Sequence, residues 1–367
     1  MKGKTLIALL VVVLALGSLM LACQPAAAPA PAPAPAPAPV PAAPTVEVTN
    51  VKFGTHEHEG DYGPVFGDAF KEMVGEMSDG KITTQVFPLG TLGDCAEVIE
   101  LTQSGELQLT ASCASWQSGF IKENNIFSLD YMLPSNQDAL LWILRESDTA
   151  KKLEGLFRDN GFQYMGGSHI GWLWRTADKP MYTLEDWKDF KMRVMASPIL
   201  IADYKALGAN VTPLPFGEVY TGLQTGLIED QENPLSTAIN MKFYEVQQYI
   251  TQYFHRPFLY THIANPAWWD SLNAETQRVV MLAFQNADEY AMGVYAQRNI
   301  EALTLLPQLR PDVVLYEMTA EELVPFKEAG KGAWDVYLDP EVGGPRAQEF
   351  LDSLQKDIAI AESKFGK

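Results

Sequence analysis

Strand-like and helix-like segments alternate along most of this 367-residue chain, beginning at residue 48. Apolar residues recur at every second position in a half-buried strand and at every third or fourth position in an amphipathic helix. The first five predicted segments are strand 48–54, helix 62–78, strand 81–87, helix 95–103 and strand 107–111. This alternation predicts an α/β fold with a largely parallel sheet, and the length is sufficient for two lobes with separate cores.

The same patterns continue through the second half of the chain. They predict helices at 138–145, 149–158 and 197–207, and extended segments at 162–166, 172–176 and 210–214. Thr183 and Thr319 each begin a motif that is typical of a helix start. Asn273 is the predicted N-cap of a long helix that runs to about Leu305.

The N-terminus has the features of an export signal. An apolar run at 6–16 is followed by Leu-Met-Leu-Ala-Cys at 19–23, which resembles a bacterial lipobox with Met20 where leucine is usual. We expect residues 1–23 to be a signal peptide and Cys23 to carry a lipid, which anchors the exported chain on the periplasmic or cell-surface side of the cytoplasmic membrane. The alternative is an uncleaved anchor, because a spanning helix needs as few as ~17 residues.

Residues 24–44 consist almost entirely of proline and alanine. Such a run cannot bury a core and favours the polyproline II conformation. At ~3.1 Å per residue it would extend on the order of 65 Å. We predict a stalk between membrane and folded body. A proline-rich recognition ligand is the alternative, but the run lacks charged flanks.

The charge and the cysteines limit the classes of partner. The net charge of −19 at pH 7 argues against binding to nucleic acid or to anionic lipid. A small anionic ligand is still possible, because one buried arginine can override the overall field locally. Cys95 and Cys113 follow the signal, and in an exported protein they can form a disulfide. Two buried thiols are the alternative, and the sequence leaves both open.

Motifs for enzymatic chemistry are not found. The sequence contains no GxSxG, P-loop, GxGxxG or HExxH pattern. His56 and His58 flank Glu57 at a predicted strand end, but zinc needs three or four ligands and the chain has five histidines in all. We therefore expect no metal, no cofactor and no enzymatic activity. An exported hydrolase is an alternative hypothesis, which would require an activated nucleophile and a base.

Residues 190–234 place a cation and an amide near strand ends. Arg193 lies in an apolar, strand-like run, so we expect its side chain to be buried, and Asn233 precedes Pro234 at the end of another short strand. A guanidinium pairs two-to-two with a carboxylate. Open α/β sheets bind small ligands at the carboxyl ends of their strands. The pattern therefore predicts a carboxylate site at Arg193.

Several separated motifs resemble, in the same order, those of the substrate-binding proteins of TRAP transporters (tripartite, ATP-independent, periplasmic). The resemblance extends from residue 51 to about residue 356. The matching stretches are 90–94 (GTLGD), 104–108 (SGELQ), 183–186 (TLED), 190–194 (FKMRV), 215–226 (PFGEVYTGLQTG), 232–234 (ENP) and 243–247 (FYEVQ). The resemblance implies a type II periplasmic-binding-protein-like fold, with two α/β lobes, crossing hinge strands and a long helix that spans both lobes.

The resemblance also implies how the chain is divided and what it does. Lobe I would begin at 45–170, lobe II would occupy 171–258, and 259–305 would return through lobe I and form the spanning helix before a C-terminal strand and helices at 306–367. The implied function is capture of a small organic acid for the membrane permease of a TRAP transporter, by a monomer without a cofactor. The alternative is an exported sensory protein that presents the same ligand to a membrane receptor.

By position, the resemblance assigns roles to single residues. Arg193 would bind the carboxylate of the ligand, Asn233 would hydrogen-bond the ligand, and Phe216 would pack on its body. His56 and Cys113 fall at positions that line the pocket.

A second arginine contacts the ligand in many members of that family. In this chain the corresponding register falls near Trp172, and Arg175 lies a few residues away. Both residues are therefore candidates for the ligand site, and the sequence leaves open whether a second arginine takes part.

Overall fold

A computed structural model describes residues 45–366 of the chain. The predicted signal peptide at 1–23, with Cys23, and the predicted stalk at 24–44 lie outside the described residues. Within the described part, nine strands form one sheet. The strands are β1 (Thr49–Thr55), β2 (Ile82–Phe87), β3 (Leu109–Cys113), β4 (Gln163–Ala177), β5 (Lys191–Val194), β6 (Asn210–Pro213), β7 (Asp230–Asn233), β8 (Tyr249–Ala264) and β9 (Val314–Glu317).

Helices pack against the strands of this sheet. They are α1 (Tyr62–Met77), α2 (Cys95–Ser104), α3 (Ala114–Gln117), α4 (Gln137–Arg145), α5 (Asp148–Asp159), α6 (Pro198–Ala206), α7 (Val219–Thr225), α8 (Leu235–Asn240), α9 (Pro266–Ser271), α10 (Ala274–Leu309), α11 (Val324–Gly330), α12 (Gly332–Tyr337), α13 (Pro340–Gly343) and α14 (Ala347–Phe365). None of the helices in residues 45–366 combines the length and the apolar character that a membrane crossing requires.

The sheet joins two lobes. Its strand order is β2-β1-β3-β8-β4-β7-β5-β6, and β9 pairs with β8. We call the part around β1, β2 and β3 lobe I and the part around β5, β6 and β7 lobe II. Within each lobe these strands are parallel, whereas β3 with β8, β4 with β7 and β4 with β8 are antiparallel. The prediction of a largely parallel sheet is therefore correct inside each lobe. It does not hold where the lobes join, because the connecting strands β4 and β8 run side by side in opposite directions.

Two long strands, β4 and β8, form the hinge. Their ladder pairs Gln163 with Ala264 beside lobe I and Ala177 with Tyr249 beside lobe II. The register shifts between His169 and Trp174, and bulges of this kind bend and twist a strand. The two extended segments predicted at 162–166 and 172–176 are parts of the single strand β4.

The long helix α10 spans both lobes, as expected. It begins after Asn273, whose side chain accepts from the Thr276 backbone N–H at 2.9 Å, and it packs against α1, α8 and β4. Its buried Asp288 accepts hydrogen bonds from Arg145 at 2.5 Å and from Ser168 at 2.6 Å. The helix continues to Leu309 rather than ending near residue 305. Pro307 lies in its last turn and does not end the helix.

The lobes touch each other across the cleft between them. Leu89 of lobe I packs against a cluster of buried apolar side chains in lobe II that includes Leu214 and Phe216. Behind the cleft, Ser197 at the start of α6 donates a hydrogen bond to Asn125 of lobe I at 2.8 Å. The structure therefore has the closed arrangement of a two-lobed protein.

Candidate functional site

An enclosed cavity lies where the two lobes meet. Its walls are closely packed in this structure and leave a volume of about 10 Å³, which is room for roughly one water molecule. Its walls are His56, Glu57, Trp116, Arg193, Met195, Phe216, Asn233, Phe258 and Tyr260. A larger depression on the outer side of α10 is open to solvent and lined by helix surface residues such as Tyr290 and Gln297. The enclosed cavity is the better site because both lobes contribute to it and because it contains a buried arginine.

Arg193 reaches this cavity from strand β5. The residue is 1% exposed, and its Nε and Nη2 atoms donate to the carbonyl oxygen of Leu214 at 3.1 and 2.8 Å. It forms no ion pair with any carboxylate in residues 45–366. Burial lowers the pKa of Arg193, which reflects the cost of holding this charge without an acidic partner.

The other fully buried arginines of this region are paired. Arg175 donates to both carboxylate oxygens of Asp230, at 2.7 and 2.8 Å. Arg256 donates to Asp130 at 2.7 Å and also to Glu232. Burial lowers the pKa of Arg175, but Asp230 and other acidic neighbours outweigh that effect and raise it above its usual range. Arg193 is therefore distinguished from these arginines by its missing counter-ion.

Asn233 lies beside Arg193 at the end of β7. Strand β7 pairs with β5 in the sheet, so both residues are near the carboxyl ends of parallel strands, where ligands bind in open α/β sheets. The Asn233 amide donates to the side-chain oxygen of Gln231 at 2.5 Å. This bond fixes the direction of the amide, and Pro234 ends the strand immediately afterwards.

Glu57 faces the cavity from lobe I. Its Oε2 atom accepts from the backbone N–H of Gly63, in the first turn of α1, at 2.5 Å. A Cβ atom at Gly63 would lie 2.8 Å from that oxygen and 2.1 Å from Thr55 Oγ1, so only glycine permits the contact. Burial, and then the nearby Asp61, raise the pKa of Glu57 to about 8.

His56 precedes Glu57 and also lines the cavity. Burial lowers its pKa to about 4, with Asp94 opposing this shift and Arg193 adding to it. The ring is therefore neutral at physiological pH. It stacks on Tyr260 with the ring centroids 6.1 Å apart and the planes 7° apart. A neutral imidazole adds a hydrogen-bonding edge to the cavity without adding charge.

Aromatic side chains close the rest of the cavity. Phe216 comes from lobe II, in the short 3-10 turn Phe216–Glu218, and its ring centroid is 6.5 Å from that of His58 in lobe I. Phe258 and Tyr260 come from β8, with ring centroids 5.5 Å apart, and Trp116 comes from α3. Such walls suit the apolar body of a small ligand.

The remaining candidates from the sequence lie outside the cavity walls. Cys113 is buried behind them, and its Sγ atom is 3.5 Å from Sδ of the wall residue Met195. The guanidinium of Arg175 is paired with the carboxylates of Asp230 and Glu232. Trp172 lies in a separate groove, where its ring centroid is 6.1 Å from that of Phe254. Cys95 and Cys113 are both free thiols.

Glu232 anchors a buried ion network directly behind Asn233. It accepts hydrogen bonds from Arg175 at 3.2 Å, from His255 at 2.9 Å and from Arg256. Burial acts to raise the pKa of Glu232, but Arg256 and Arg175 outweigh it and hold the pKa well below its usual range. The network ties β7 to both hinge strands and so holds Asn233 in position.

The described residues contain no arrangement suited to catalysis or metal binding. Ser168, His262 and Asp288 lie together, but Ser168 contacts the same ring nitrogen of His262 that faces Asp288, at 2.8 Å. All three are buried away from the cavity, so no substrate reaches them. Residues 45–366 also hold no group of three or more histidine, cysteine or acidic side chains that could bind a metal.

Four wall residues were not predicted as ligand contacts, namely Glu57, Met195, Phe258 and Tyr260. The sequence contained one signal for Glu57, namely its position next to His56 at the end of a predicted strand. Phe258 and Tyr260 had none, because strand β8 was not predicted.

Comparison with known proteins is consistent with this geometry. The model for "Bacterial extracellular solute-binding protein, family 7" matches residues 60–339. The ectoine/5-hydroxyectoine-binding periplasmic protein UehA of Ruegeria pomeroyi is 34% identical, over 84% of this chain and 90% of UehA. The C4-dicarboxylate-binding periplasmic protein DctP of Vibrio cholerae is 29% identical, over 78% of this chain and 85% of DctP.

Among solved structures, the ectoine-binding protein of the TeaABC TRAP transporter of Halomonas elongata is similar throughout the folded body. It superposes with a TM-score of 0.80 and 32% identity, covering 85% of this chain and all of that one. The similarity supports the two-lobed architecture.

Proposed function

The chain belongs to family 7 of the bacterial extracellular solute-binding proteins, and on that premise we propose that it captures a small carboxylate-bearing solute and delivers it to a TRAP transporter. Membership of this family confirms the resemblance drawn from the sequence. It also means that the protein binds its ligand and does not transform it.

One observation carries the choice of a carboxylate, namely that Arg193 is fully buried in the cavity wall without a counter-ion. A buried charge is costly unless it is paired. A ligand carboxylate would supply the pair in the forked geometry that guanidinium prefers. Binding of a carboxylate relieves the free-energy cost of burying the Arg193 charge unpaired. The site therefore selects an anion over a neutral analogue of the same shape.

Glu57 narrows the proposed ligand further. It lies in the same small cavity as Arg193, so the site offers one cation and one titratable carboxyl group. A zwitterion with a carboxylate for Arg193 and a cationic group for Glu57 would satisfy both. Ectoine, which gives UehA its name, is a cyclic zwitterion of this kind. We therefore infer a compact zwitterionic carboxylate as the preferred ligand, ahead of a simple dicarboxylate.

The proposed contacts follow from the positions of the side chains. Arg193 pairs with the carboxylate of the ligand. Asn233 and neutral His56 form hydrogen bonds with the polar edge of the ligand, and Phe216 packs on its ring or chain. Cys113 acts indirectly by supporting Met195.

Arg175 and Trp172 are not included among the proposed ligand contacts. Arg175 has its acidic partners already, and Trp172 faces another groove. We propose that Arg175 stabilises the wall behind Asn233 and that Trp172 packs at the hinge.

Binding would proceed by closure of the two lobes around the ligand. The walls come from both lobes, so a complete set of contacts exists only in the closed form. The ligand then shifts the population towards that form by as much as its affinity for the two forms differs. The closed form would be the one that the membrane permease accepts.

We further propose that the protein acts as a tethered monomer. The lipobox-like 19–23 and the Pro/Ala stretch at 24–44 support a lipid on Cys23 and a stalk that lets the folded body move near the membrane. Cells grown with radioactive palmitate should label the wild-type protein, and replacement of Cys23 by serine should abolish the label. A wild-type protein that takes up no label would favour an uncleaved anchor.

The proposed function is tested by a thermal-shift screen of the purified protein. Ectoine, succinate and orotate are the carboxylate probes, and glycerol is a neutral control. Binding to the native state raises the unfolding temperature by mass action, so at least one carboxylate should raise it while glycerol does not. A protein that no carboxylate stabilises would contradict the proposal.

A further inference from the structure

Asn233 is the last member of a row of hydrogen-bonded side chains that leads away from the cavity. Its Nδ2 atom donates to Oε1 of Gln231 at 2.5 Å. Gln231 donates from Nε2 to Oγ1 of Thr176 at 3.1 Å. The Thr176 hydroxyl donates in turn to Oε1 of Gln247 at 3.3 Å. We call these four side chains, Asn233, Gln231, Thr176 and Gln247, the amide relay.

The sheet holds three members of the amide relay in line. Strands β4 and β7 are antiparallel, and Thr176 lies directly opposite Gln231. Asn233 lies two residues further along β7 and so shares a face with Gln231. Thr176 and Gln231 are both fully buried. Because an unpaired donor or acceptor in a buried place is costly, each member depends on its neighbours for its hydrogen bonds.

A backbone carbonyl sets the direction of the amide relay at its far end. Gln247 donates from Nε2 to the carbonyl oxygen of Val246 at 3.1 Å. A carbonyl oxygen can only accept, so Gln247 turns its Nε2 towards Val246 and its Oε1 towards Thr176. The single hydroxyl hydrogen of Thr176 goes to that oxygen, and Thr176 therefore accepts from Gln231. Gln231 then presents its own oxygen to Asn233.

The free end of the amide relay is the side-chain oxygen of Asn233. Asn233 lines the cavity, and its Nδ2 atom is engaged with Gln231. Within residues 45–366 no group donates to its Oδ1 atom. Nδ2 keeps one further hydrogen, whereas Oδ1 can only accept. A ligand group that meets this oxygen must therefore bring a hydrogen, and an ether, carbonyl or carboxylate oxygen at the same place would be repelled.

We propose that the amide relay fixes Asn233 as a hydrogen-bond acceptor, and that Asn233 thereby selects a carboxylate ligand with an N–H or O–H donor close to its carboxylate. Gln231, Thr176 and Gln247 are positioning residues, since they act on the ligand through Asn233. The inference rests on the proposed function, because it requires Arg193 to hold the carboxylate. Arg193 cannot make this selection itself, since a guanidinium only donates.

The distance between donor and carboxylate is limited by the size of the site. Arg193 and Asn233 line the same closely packed cavity, so the donor lies within a few bonds of the carboxylate. A 2-amino acid, a 2-hydroxy acid or a ring N–H beside the carboxylate-bearing carbon meets this condition. Ectoine meets it as well, because one nitrogen of its amidinium adjoins that carbon. A plain aliphatic acid such as succinate places C–H groups there and leaves the Asn233 oxygen unpaired.

The test compares two ring acids of nearly the same shape. Pipecolate has a ring N–H beside the carboxylate-bearing carbon, and tetrahydropyran-2-carboxylate has an ether oxygen there. Calorimetry gives the affinity of each acid for wild type, Thr176→Val and Thr176→Ser. Valine matches the shape of threonine without the hydroxyl, whereas serine keeps the hydroxyl. Thr84→Val is the matched control, because Thr84 is also buried in a strand but its hydroxyl has no hydrogen-bond partner in residues 45–366.

The wild-type protein should prefer pipecolate by about tenfold or more, because the ether leaves the Asn233 oxygen unpaired. Thr176→Val should reduce this ratio to about a third or less, and Thr176→Ser and Thr84→Val should keep it. The two acids also differ in charge, which Glu57 senses in all four proteins, so the change in the ratio is the decisive quantity. A purely structural role of Thr176 would weaken both acids alike and leave the ratio unchanged.

Gln247→Met interrupts the amide relay at its far end and should lower the ratio in the same direction. It decides the question if Thr176→Val does not fold. An unchanged ratio in these variants would overturn the inference alone, as would a wild-type protein that binds ectoine or succinate without favouring pipecolate over the ether. A wild-type protein that binds none of the four acids would overturn the proposed function as well.

Discussion

Leu214 holds the guanidinium of Arg193 in place, since its carbonyl oxygen accepts from Nε at 3.1 Å and from Nη2 at 2.8 Å. These bonds occupy one edge of the guanidinium and leave Nη1 for another acceptor. The side chain is therefore oriented before any ligand arrives, which lowers the entropic cost of binding. An oriented but unpaired cation has consequences for stability and for affinity that can be measured separately.

The first prediction concerns the stability of the unliganded protein. Arg175→Met leaves Asp230 buried without its cation and removes one of the two arginines that pair with Glu232, so it should lower the free energy of unfolding by about 3–5 kcal/mol. Arg193→Met removes a charge that has no carboxylate partner, and should lower it by no more than about 1 kcal/mol. Denaturant unfolding of the two variants measures the difference. Equal destabilisation would show that Arg193 is a structural cation like Arg175.

The second prediction concerns protons released on binding. The pKa of Glu57 is raised to about 8 without ligand, so the group is mostly protonated at pH 7. A cationic ligand group favours the ionised form, and ectoine binding should therefore release a proton. Its affinity should rise about tenfold per pH unit below that pKa and level off above it.

Calorimetry in phosphate and in Tris measures this release, because the two buffers differ in ionisation enthalpy. Glu57→Gln cannot ionise and should abolish the difference between the buffers. Succinate serves as the opposite case, since its affinity should fall as the pH rises through 8 and Glu57 becomes negative. Identical pH profiles for the two ligands would contradict the role given to Glu57.

The third prediction concerns Gly63. A Cβ atom there would lie 2.8 Å from Glu57 Oε2, so Gly63→Ala should displace the carboxyl group and cost on the order of 1–3 kcal/mol of stability. Gly75 lies in the same helix with its nearest neighbour 4.0 Å away, and Gly75→Ala should instead stabilise by roughly 0.5–1 kcal/mol. Ectoine titrations should weaken only for the first variant, and equal behaviour of the two would count against the contact.

The fourth prediction concerns the pH dependence of stability at Asp203. Burial, and then Asp130, raise its pKa to about 8. A carboxyl group with a raised pKa stabilises the fold fully below its unfolded value of 3.8, and that contribution is lost as the pH rises through 8. The Asp203→Asn variant stays neutral, so its advantage over wild type should grow with pH and reach on the order of 2 kcal/mol at high pH.

Denaturant midpoints from pH 5 to pH 9 test this expectation. Asp159, which is exposed at the end of α5, provides a control in which Asp159→Asn should give a nearly constant difference. A stability gap for Asp203→Asn that stays constant or narrows with increasing pH would exclude a buried, protonated Asp203.

The sequence predicted the site best where the contacts follow from short motifs at strand ends. Arg193, Asn233, Phe216 and His56 all line one cavity, because parallel strands of an α/β lobe end at the same edge of the sheet. Glu57 was missed, since its importance depends on the backbone N–H of α1 that it meets only after folding.

Most of the structural features that could not be predicted from the sequence involve strands β4 and β8. Residues of β8 are buried on both faces along most of its length, so the two-residue alternation that identifies a half-buried strand is missing. The register shifts in β4 decide which face each side chain takes. Arg175 consequently meets Asp230 and Glu232 instead of the cavity, an outcome that spacing along the sequence does not reveal.

Calorimetric titration of wild type, Arg193→Lys and Arg193→Ala with ectoine and with succinate tests the central claim most directly. Both variants should lose about 30-fold or more in affinity for each bound acid, because truncation at a buried charge pair costs about 2–5 kcal/mol and lysine lacks the forked geometry. Arg278→Ala, at an exposed arginine, should bind as wild type does. Wild-type affinity in Arg193→Ala would contradict the assignment of Arg193 as the carboxylate anchor.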